Sequence, residues 1–504
     1  MELILNIHFQ RNSDHDHEFP QRVYGRIDSI EFSSEKNDSV LVSIDLIDAN
    51  WLDSNGRSNP LLSMTDHISR ARAWAQFNPG CTNSPFKKAP LFRLEVELSN
   101  HESWFGMTGL RRLHDTEPDT ETARLENLWL ELNLSPTNSK SNGEKLADLY
   151  PTLFSDPVPV SVEGKLVSAA KGKSLADIFS LGHLPEISTE QLLKLLSKAT
   201  ARNLAVYDVG QGNANALIGD GCGFPTLYFD LGAGVYRNKH TTPNDLRFCF
   251  TEKPPIILSH WDADHWAGTY ATSVGGEYPA LKQLWIAPLQ EVGPIHIAFA
   301  HDVLESKGEF FTSTTLENNI GISTLTSDPN ITVHFTLGTG ADRNNSGIVL
   351  AVVNNSHPSG PRSWILTGDC EYKFFMPALS PADPVAIVVP HHGADLRGGS
   401  KAPPPVSTDT YKRLVYSFGA NNSQGKTNVQ HPTGEGVTAH SSWNHGGWVT
   451  GKIGWTMPNG DVLATTEHKN APFRGGCLVG WSSSPVTRCP PCGGHLCTAE
   501  LKQS

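Results

Sequence analysis

The chain has no run of about 18 apolar residues, so no transmembrane helix is expected and no membrane role is assigned. Its opening, MELILNIHFQRNSD, lacks a basic stretch and a small-residue cleavage site, which argues against a signal peptide. Cysteine is scarce. Eight in 504 residues cannot staple a scaffold of this size, and the composition fits a cytoplasmic protein in a reducing compartment. A basic excess is also missing: Lys+Arg 40 against Asp+Glu 52 gives a net charge of -12, unlike a protein that coats nucleic acid by neutralising phosphates. The deficit is uneven. Residues 1–200 hold 20 Lys+Arg and 28 Asp+Glu, which leaves residues 201–504 nearly balanced at -4.

A chain of 504 residues predicts two to four domains, each with enough core to fold unaided. Residues 1–150 read as a β-rich α+β accessory domain, because 39–46 and 91–98 alternate apolar and polar side chains in the manner of strands. A helix is expected over 66–77 behind Thr65, and a loop over 133–145, which Pro136 interrupts. His15 and His17, in DHDHE, fit acidic surface better than a metal site. Residues 151–202 read as a connector with one good helix, opened by a capping box of Ser188 and Gln191. From 203 to 470, short apolar runs end in Asp, Gly or His, as in an α/β enzyme whose strand ends present chemistry from loops. Residues 471–504 form a Cys-rich tail.

The strongest signal is the apolar run 255–258 feeding Ser259-His260-Trp261-Asp262-Ala263-Asp264-His265-Trp266-Ala267-Gly268. Four ligand-type side chains fall in six positions. A strand would send alternate ones to opposite faces, whereas a tight loop can turn them to one place. Buried without cations, such a cluster would be costly, and its mixture of imidazole and carboxylate suits divalent ions. A helix could follow from about Trp266. Three more apolar runs end in ligand types: 364–366 before Thr367-Gly368-Asp369, 385–389 before Pro390-His391-His392-Gly393, and 414–419, which leads through a polar loop to His431-Pro432. Together they predict one shared site. Trp261 and Trp266 fit packing beneath the metal motif better than stacking on a base. Asn354, Asn355, His357, Asn421 and Asn422 are further candidates for substrate contact.

These motifs, in this order, resemble the metallo-β-lactamase fold hydrolases, most closely the hydrolase domain of ComEC-type competence proteins. Tyr207–Gly212 resembles the DVGQG opening of that branch, Phe229–Gly232 its D-x-G strand end, and Ser259–Gly268 its SHxDxDHxxG motif. Asn345-Ser346 with the strand 348–353, Thr367–Asp369, Pro390–Gly393 and His431-Pro432 follow. The resemblance covers roughly residues 203–470. Asp262 stands where most of the superfamily has His. Asn213, Ala394 and Gln430 replace an acidic residue, Ser and Gly of the branch, differences that bear on substrate contacts more than on ligand positions. The membrane segments of full-length ComEC proteins are absent, so the resemblance implies hydrolase chemistry and not DNA uptake.

The resemblance implies an αββα sandwich over 203–470 and two divalent ions, Zn²⁺ as first choice and Mn²⁺ as the alternative. His260 and Asp262 would hold one ion, Asp264 and His265 the other. Asp369 would bridge them, and His431, His391 or His392 would complete the shells. A hydroxide between the metals would be the nucleophile, with Asp264, His391 and His392 as the catalytic group and His391 or His392 polarising phosphate or protonating the leaving oxygen. Asp208 and Asp230 are supporting candidates at strand ends, and Asp230 could orient a ligand His. In the tail, Cys489, Cys492, His495 and Cys497 could hold a separate zinc ion, with Cys477 as a substitute.

The expected activity is hydrolysis of a phosphodiester in nucleic acid or a nucleotide. The alternatives are another ester or amide, such as a lactone, a β-lactam or a small phosphoester, and a metal-binding module without turnover. A part in a bacterial antiviral defence system concerns role rather than chemistry. Two divalent ions would offset the formal -4 of residues 201–504, so charge does not oppose a phosphodiester there. The acidity of residues 1–200 favours a protein partner for that half.

Overall fold

The computed structural model describes residues 5–11, 19–32, 39–55, 69, 84–99, 118–137, 146–219, 223–244, 246–273, 276–314, 321–379, 382–396, 400–406, 409–424, 430–443, 461–466, 476–483, 485 and 502–503. His15, His17, all but one residue of the expected helix over 66–77, and Cys489, Cys492, His495 and Cys497 lie outside the described residues. The chain divides into two compact units. One comprises Met1–Pro185, Leu289–Phe310 and Ser423–Val429; the other comprises Glu186–Pro288, Phe311–Asn422 and Gln430–Ser504.

The first unit is built on a closed barrel of β1 (Arg22–Phe32), β2 (Ser39–Asp48), β3 (Leu91–Ser99), β4 (Trp129–Pro136), β5 (Leu146–Tyr150) and β6 (Val158–Leu166). Their order is β1-β2-β3-β5-β6-β4, and β4 pairs back onto β1. Val42, Ile44 and Leu46 of β2 and Leu94, Val96 and Leu98 of β3 fill the interior, as their alternation requires. Two sequence boundaries change here. β4 continues through Pro136, opposite Val160, where a loop was expected, and β6 belongs to the barrel and not to a connector. Closing the barrel leaves no open sheet edge, a gain that local sequence does not register.

The opposite face of the same strands carries charge. A bulge between Ile27 and Ser29 leaves Asp28 as the extra residue of β1. Asp28, Asp45 and Arg93 are all buried, and helix Pro294–Glu305 packs on β2 and β3. Arg93 Nη1 donates to Asp45 Oδ1 at 2.9 Å and also to Asp28. His296 Nε2, from the helix, lies 2.7 Å from Asp28 Oδ1 and 3.2 Å from Asp45 Oδ2. The helix thus belongs to the barrel unit, although its sequence lies inside the span expected for the hydrolase domain.

The second unit contains two mixed sheets. The first has the order β12-β11-β10-β9-β8-β7-β20-β21: β7 (Asn203–Val206), β8 (Ala214–Ile218), β9 (Pro225–Leu231), β10 (Ile256–Ile257), β11 (Leu284–Pro288), β12 (Glu309–Ser313), β20 (Cys477–Val479) and β21 (Lys502–Gln503). The second runs in sequence order: β13 (Ile322–Leu325), β14 (Ile331–Leu337), β15 (Ile348–Asn354), β16 (Arg362–Leu366), β17 (Asp383–Val388), β18 (Arg413–Tyr416) and β19 (Val462–Ala464). One core joins them: Val206, Leu217 and Phe229 meet Val333, Leu350 and Val388. On β15, Ile348, Leu350 and Val352 face that core, while Val349 and Ala351 face a second one shared with helix Tyr372–Leu379.

Helix Thr189–Leu196 has the capping box, with Ser188 accepting from Gln191 N and Gln191 accepting from Ser188 N, and its Leu192 and Leu196 join the core between the sheets. Residues 471–504 are not wholly a tail, because Cys477 pairs with Val206 and is buried in the core. Cys249 is disulfide-bonded. No helix among the described residues is long and apolar enough to cross a membrane.

Candidate metal centre

β16, β17 and β18 are parallel neighbours, so their carboxyl ends lie on one edge of the sheet. The turns that follow them carry Asp369, His391 with His392, and the approach to His431. The loop of residues 259–268 follows β10 of the other sheet, and Ile348 N donates to Ser259 O at 2.7 Å to join that loop to the start of β15. A 3-10 turn, Ala263–His265, is closed by His265 N donating to Asp262 O at 3.0 Å. It turns Asp262, Asp264 and His265 out of strand alternation, as the spacing predicts. A short helix, Gly268–Ala271, follows. Gly232 packs so closely on the Asp264 carbonyl that a Cβ there would overlap it, which explains the glycine of the D-x-G strand end.

The ligand-type atoms converge. His260, His265 and Asp369 offer atoms within 4.8 Å of one another, and so do Asp264, His265 and His392. Asp369 Oδ1 lies 3.1 Å from His265 Nε2 and 4.0 Å from His392 Nε2. Its Oδ2 faces the other way, 3.7 Å from His260 Nε2 and 3.8 Å from His391 Nε2. Asp262 Oδ2 is 3.4 Å from His260 Nε2, and Asp264 Oδ2 is 3.1 Å from His392 Nε2.

Four of these atoms, His260 Nε2, His265 Nε2, His392 Nε2 and Asp369 Oδ1, are buried with no hydrogen bond of adequate geometry. Such atoms cost about 1–3 kcal/mol each when left unsatisfied. A divalent cation would satisfy them together, so the residues present fit one.

The remaining ring nitrogens are held from behind. His265 Nδ1 lies 2.9 Å from Asp230 Oδ2, and His260 Nδ1 lies 3.0 Å from Ser259 Oγ, which donates to Asp230 Oδ2 at 2.9 Å. Asp230 also accepts from Ser259 N at 2.6 Å and Asn213 Nδ2 at 3.3 Å, and its backbone is left-handed at φ 63°. His392 Nδ1 donates to Ser417 O at 2.8 Å, which leaves Nε2 as the lone-pair nitrogen. His391 and His392 both have left-handed backbone, with φ 50° and 54°. Strain of about 1–3 kcal/mol at each such residue is common at functional sites. Here Ala394 N donates to His391 O and Thr433 N to Gly393 O to hold the turn.

Charge follows the geometry. Burial disfavours the charged form of His265, but Asp369 and Asp230 outweigh it and raise the imidazole well above its ordinary value. Burial likewise opposes ionisation of Asp369, but His265, His391, His260 and His392 hold its carboxyl well below the usual range.

Other candidates fall elsewhere. His431 stacks beside His392 with centroids 6.3 Å apart and lies 5.5 Å from His391, while its Nδ1 lies 3.3 Å from Gln211 Nε2. It borders the cluster and, like Asp262 and His391, is in neither three-residue group. Asp208 Oδ1 accepts from Gly210 N at 3.2 Å, which closes the turn of the DVGQG motif. Asn422 holds the His431 backbone through bonds of 2.7 and 2.8 Å. Asn354, Asn355 and His357 lie at or beyond the end of β15 away from Ser259.

Trp261 and Trp266 are fully buried, with indole N–H groups donating to Pro288 O and Trp261 O, so neither can stack on a base. Cys477 is a core residue. The Asp28, Asp45 and His296 group of the barrel unit is also a ligand-type cluster, and Arg93 pairs with both of its carboxylates. Sequence reasoning missed Ser259, Ser417 and Arg343 as supports. Arg343 had one visible signal, a lone cation in a Gly- and Asn-rich stretch before an apolar strand. No protein-family model matches the chain, and no curated protein matches it.

Proposed function

We propose that the second unit is a metallo-β-lactamase-type hydrolase that holds two divalent cations, Zn²⁺ or Mn²⁺, and cleaves phosphodiesters in nucleic acid or nucleotides. The observation that carries the reading is the set of buried, unsatisfied ligand atoms of His260, His265, His392 and Asp369, turned toward one another from both sheets. His260, Asp262, Asp264, His265, Asp369 and His392 would hold the ions, with His431 at hand to complete a shell. Bound cations would supply positive charge to a phosphoryl oxygen and acidify the attacking water.

The chain's own residues would do the rest. Asp230 and Ser259 orient His265 and His260, and the Ser417 carbonyl orients His392. His391, with 22% of its side chain exposed against 3% for His392, is the imidazole better placed to pass a proton to the leaving oxygen. The choice of phosphodiester rests on the resemblance of Tyr207–Gly212, Ser259–Gly268 and Pro390–Gly393 to the ComEC-type branch. For the barrel unit, acidity favours a protein partner over nucleic acid.

Elemental analysis is expected to give about two metal ions per chain. Single- and double-stranded DNA and RNA and cyclic nucleotides, tested with Zn²⁺, Mn²⁺ and Mg²⁺, should show metal-dependent cleavage that Asp369→Ala abolishes. A wild-type protein that takes up neither Zn²⁺ nor Mn²⁺ would overturn the metal centre. Turnover of lactones or lactams with none of phosphodiesters would overturn the substrate class.

A further inference from the structure

The loop between β14 and β15, residues 338–347, contributes none of the proposed ligands, yet it delivers a buried guanidinium to them. Arg343 is 4% exposed, and its Nη2 donates to Asp262 Oδ1 at 3.1 Å. The other oxygen of that carboxylate, Oδ2, is the one 3.4 Å from His260 Nε2. The two oxygens of Asp262 therefore have separate partners.

The loop is built to keep it so. Asp342 accepts from Asn345 N at 2.7 Å and from Asn345 Nδ2 at 3.1 Å. Asn345 Oδ1 accepts from Glu371 N at 3.0 Å, which ties the loop to the turn carrying Asp369. A Cβ at Gly347 would lie 2.7 Å from Ser259 O and 3.3 Å from His260 Cβ, so the loop presses backbone against the metal motif. A guanidinium taken this far from water costs several kcal/mol unless its partner is held in place. Asp262 is that partner.

We propose that Arg343 is a positioning residue for Asp262. It engages Oδ1 so that the carboxylate meets a cation through Oδ2 alone. Its charge also offsets the negative charge that Asp262 brings to a position where an imidazole would be neutral. This inference rests on the metal-centre reading and concerns its His260 half. A one-oxygen carboxylate beside an imidazole suits a small ion of low coordination number such as Zn²⁺, and disfavours Ca²⁺, which takes more oxygens and often both from one carboxylate.

The test is calorimetric titration of the metal-free, full-length protein with Zn²⁺. Wild type is expected to bind two equivalents. Arg343→Met should weaken one equivalent by about 10- to 100-fold, the usual effect of losing an outer partner, and leave the other unchanged. Arg343→Lys, which keeps the charge but not the planar fork, should recover part of the loss. Asp262→Asn should weaken the same equivalent, and the double variant should be no weaker than Asp262→Asn alone.

Folded Arg343→Met with two wild-type affinities, or with both equivalents weakened alike, would overturn the proposal. Should Arg343→Met fail to fold by circular dichroism, Arg343→Lys and Asp262→Asn decide: either one with wild-type affinity at both equivalents overturns it. A wild-type protein that takes up no Zn²⁺ or Mn²⁺ instead defeats the metal-centre reading itself.

Discussion

Asp230→Asn tests the centre most directly, because the change is isosteric and replaces no proposed ligand. Asp230 is fully buried and faces donors on every side: Ser259 N at 2.6 Å, Ser259 Oγ at 2.9 Å, His265 Nδ1 at 2.9 Å and Asn213 Nδ2 at 3.3 Å. An amide keeps one acceptor and turns the other into a donor. Whichever way it is flipped, one N–H pair collides with a donor, at a cost of about 1–3 kcal/mol to the metal-free fold.

Loss of the carboxylate also removes the acceptor that fixes the His265 proton on Nδ1, so Nε2 would no longer be held as the lone-pair nitrogen for a proposed cation. Losing such an outer partner weakens metal binding about 10- to 100-fold. At free Zn²⁺ near 100 times the wild-type Kd, wild type gains about 2.7 kcal/mol from the metal. The variant would then gain about 0.4–1.4 kcal/mol. For a unit of this size each kcal/mol moves the melting temperature by roughly 2–4 °C. The Zn²⁺-induced upshift should fall from about 5–11 °C to about 1–6 °C in differential scanning calorimetry at fixed free metal. An Asp230→Asn protein with the full wild-type upshift would refute the orienting role of Asp230.

Two further outcomes concern stability away from the site. Arg93→Met leaves Asp28 and Asp45 buried without their guanidinium. It should cost about 3–5 kcal/mol in urea unfolding of the barrel unit, partly recovered by adding Asp28→Asn; a loss under about 1 kcal/mol would refute the reading. In the second unit, Arg362 Nε donates to Asp409 Oδ2 at 2.5 Å, and this hydrogen bond holds the Asp409 carboxyl below its ordinary range. Since the folded value is the lower one, the stabilisation is fully present above the unfolded carboxyl pKa of about 4 and fades as pH falls through the folded value. Asp409→Asn should therefore lower the urea midpoint at pH 7, with the gap to wild type closing toward pH 3. A gap that is the same at both pH values would count against the pairing.

The sequence by itself determined what depends on near neighbours. Alternation in 39–46 and 91–98 marked β2 and β3, Ser188 with Gln191 marked a helix start, and four ligand-type side chains in six positions marked the 260–265 turn. Asp369 and the His391–His392 pair were visible as polar ends of apolar runs. Only the tertiary structure decided that Val158–Leu166 closes a barrel, that helix Pro294–Glu305 belongs to the barrel unit, and that Cys477 is core. It alone turned the two oxygens of Asp369 to different imidazoles, moved His431 to the border and set Arg343 against Asp262.

The reason is physical. Periodicity and spacing report which face of a segment is buried and what chemistry a turn can present. Which buried face meets which is settled by strand register and by the pairing of charges between residues such as Asp28 and His296, 268 positions apart. No local window of the chain contains both members of such a pair.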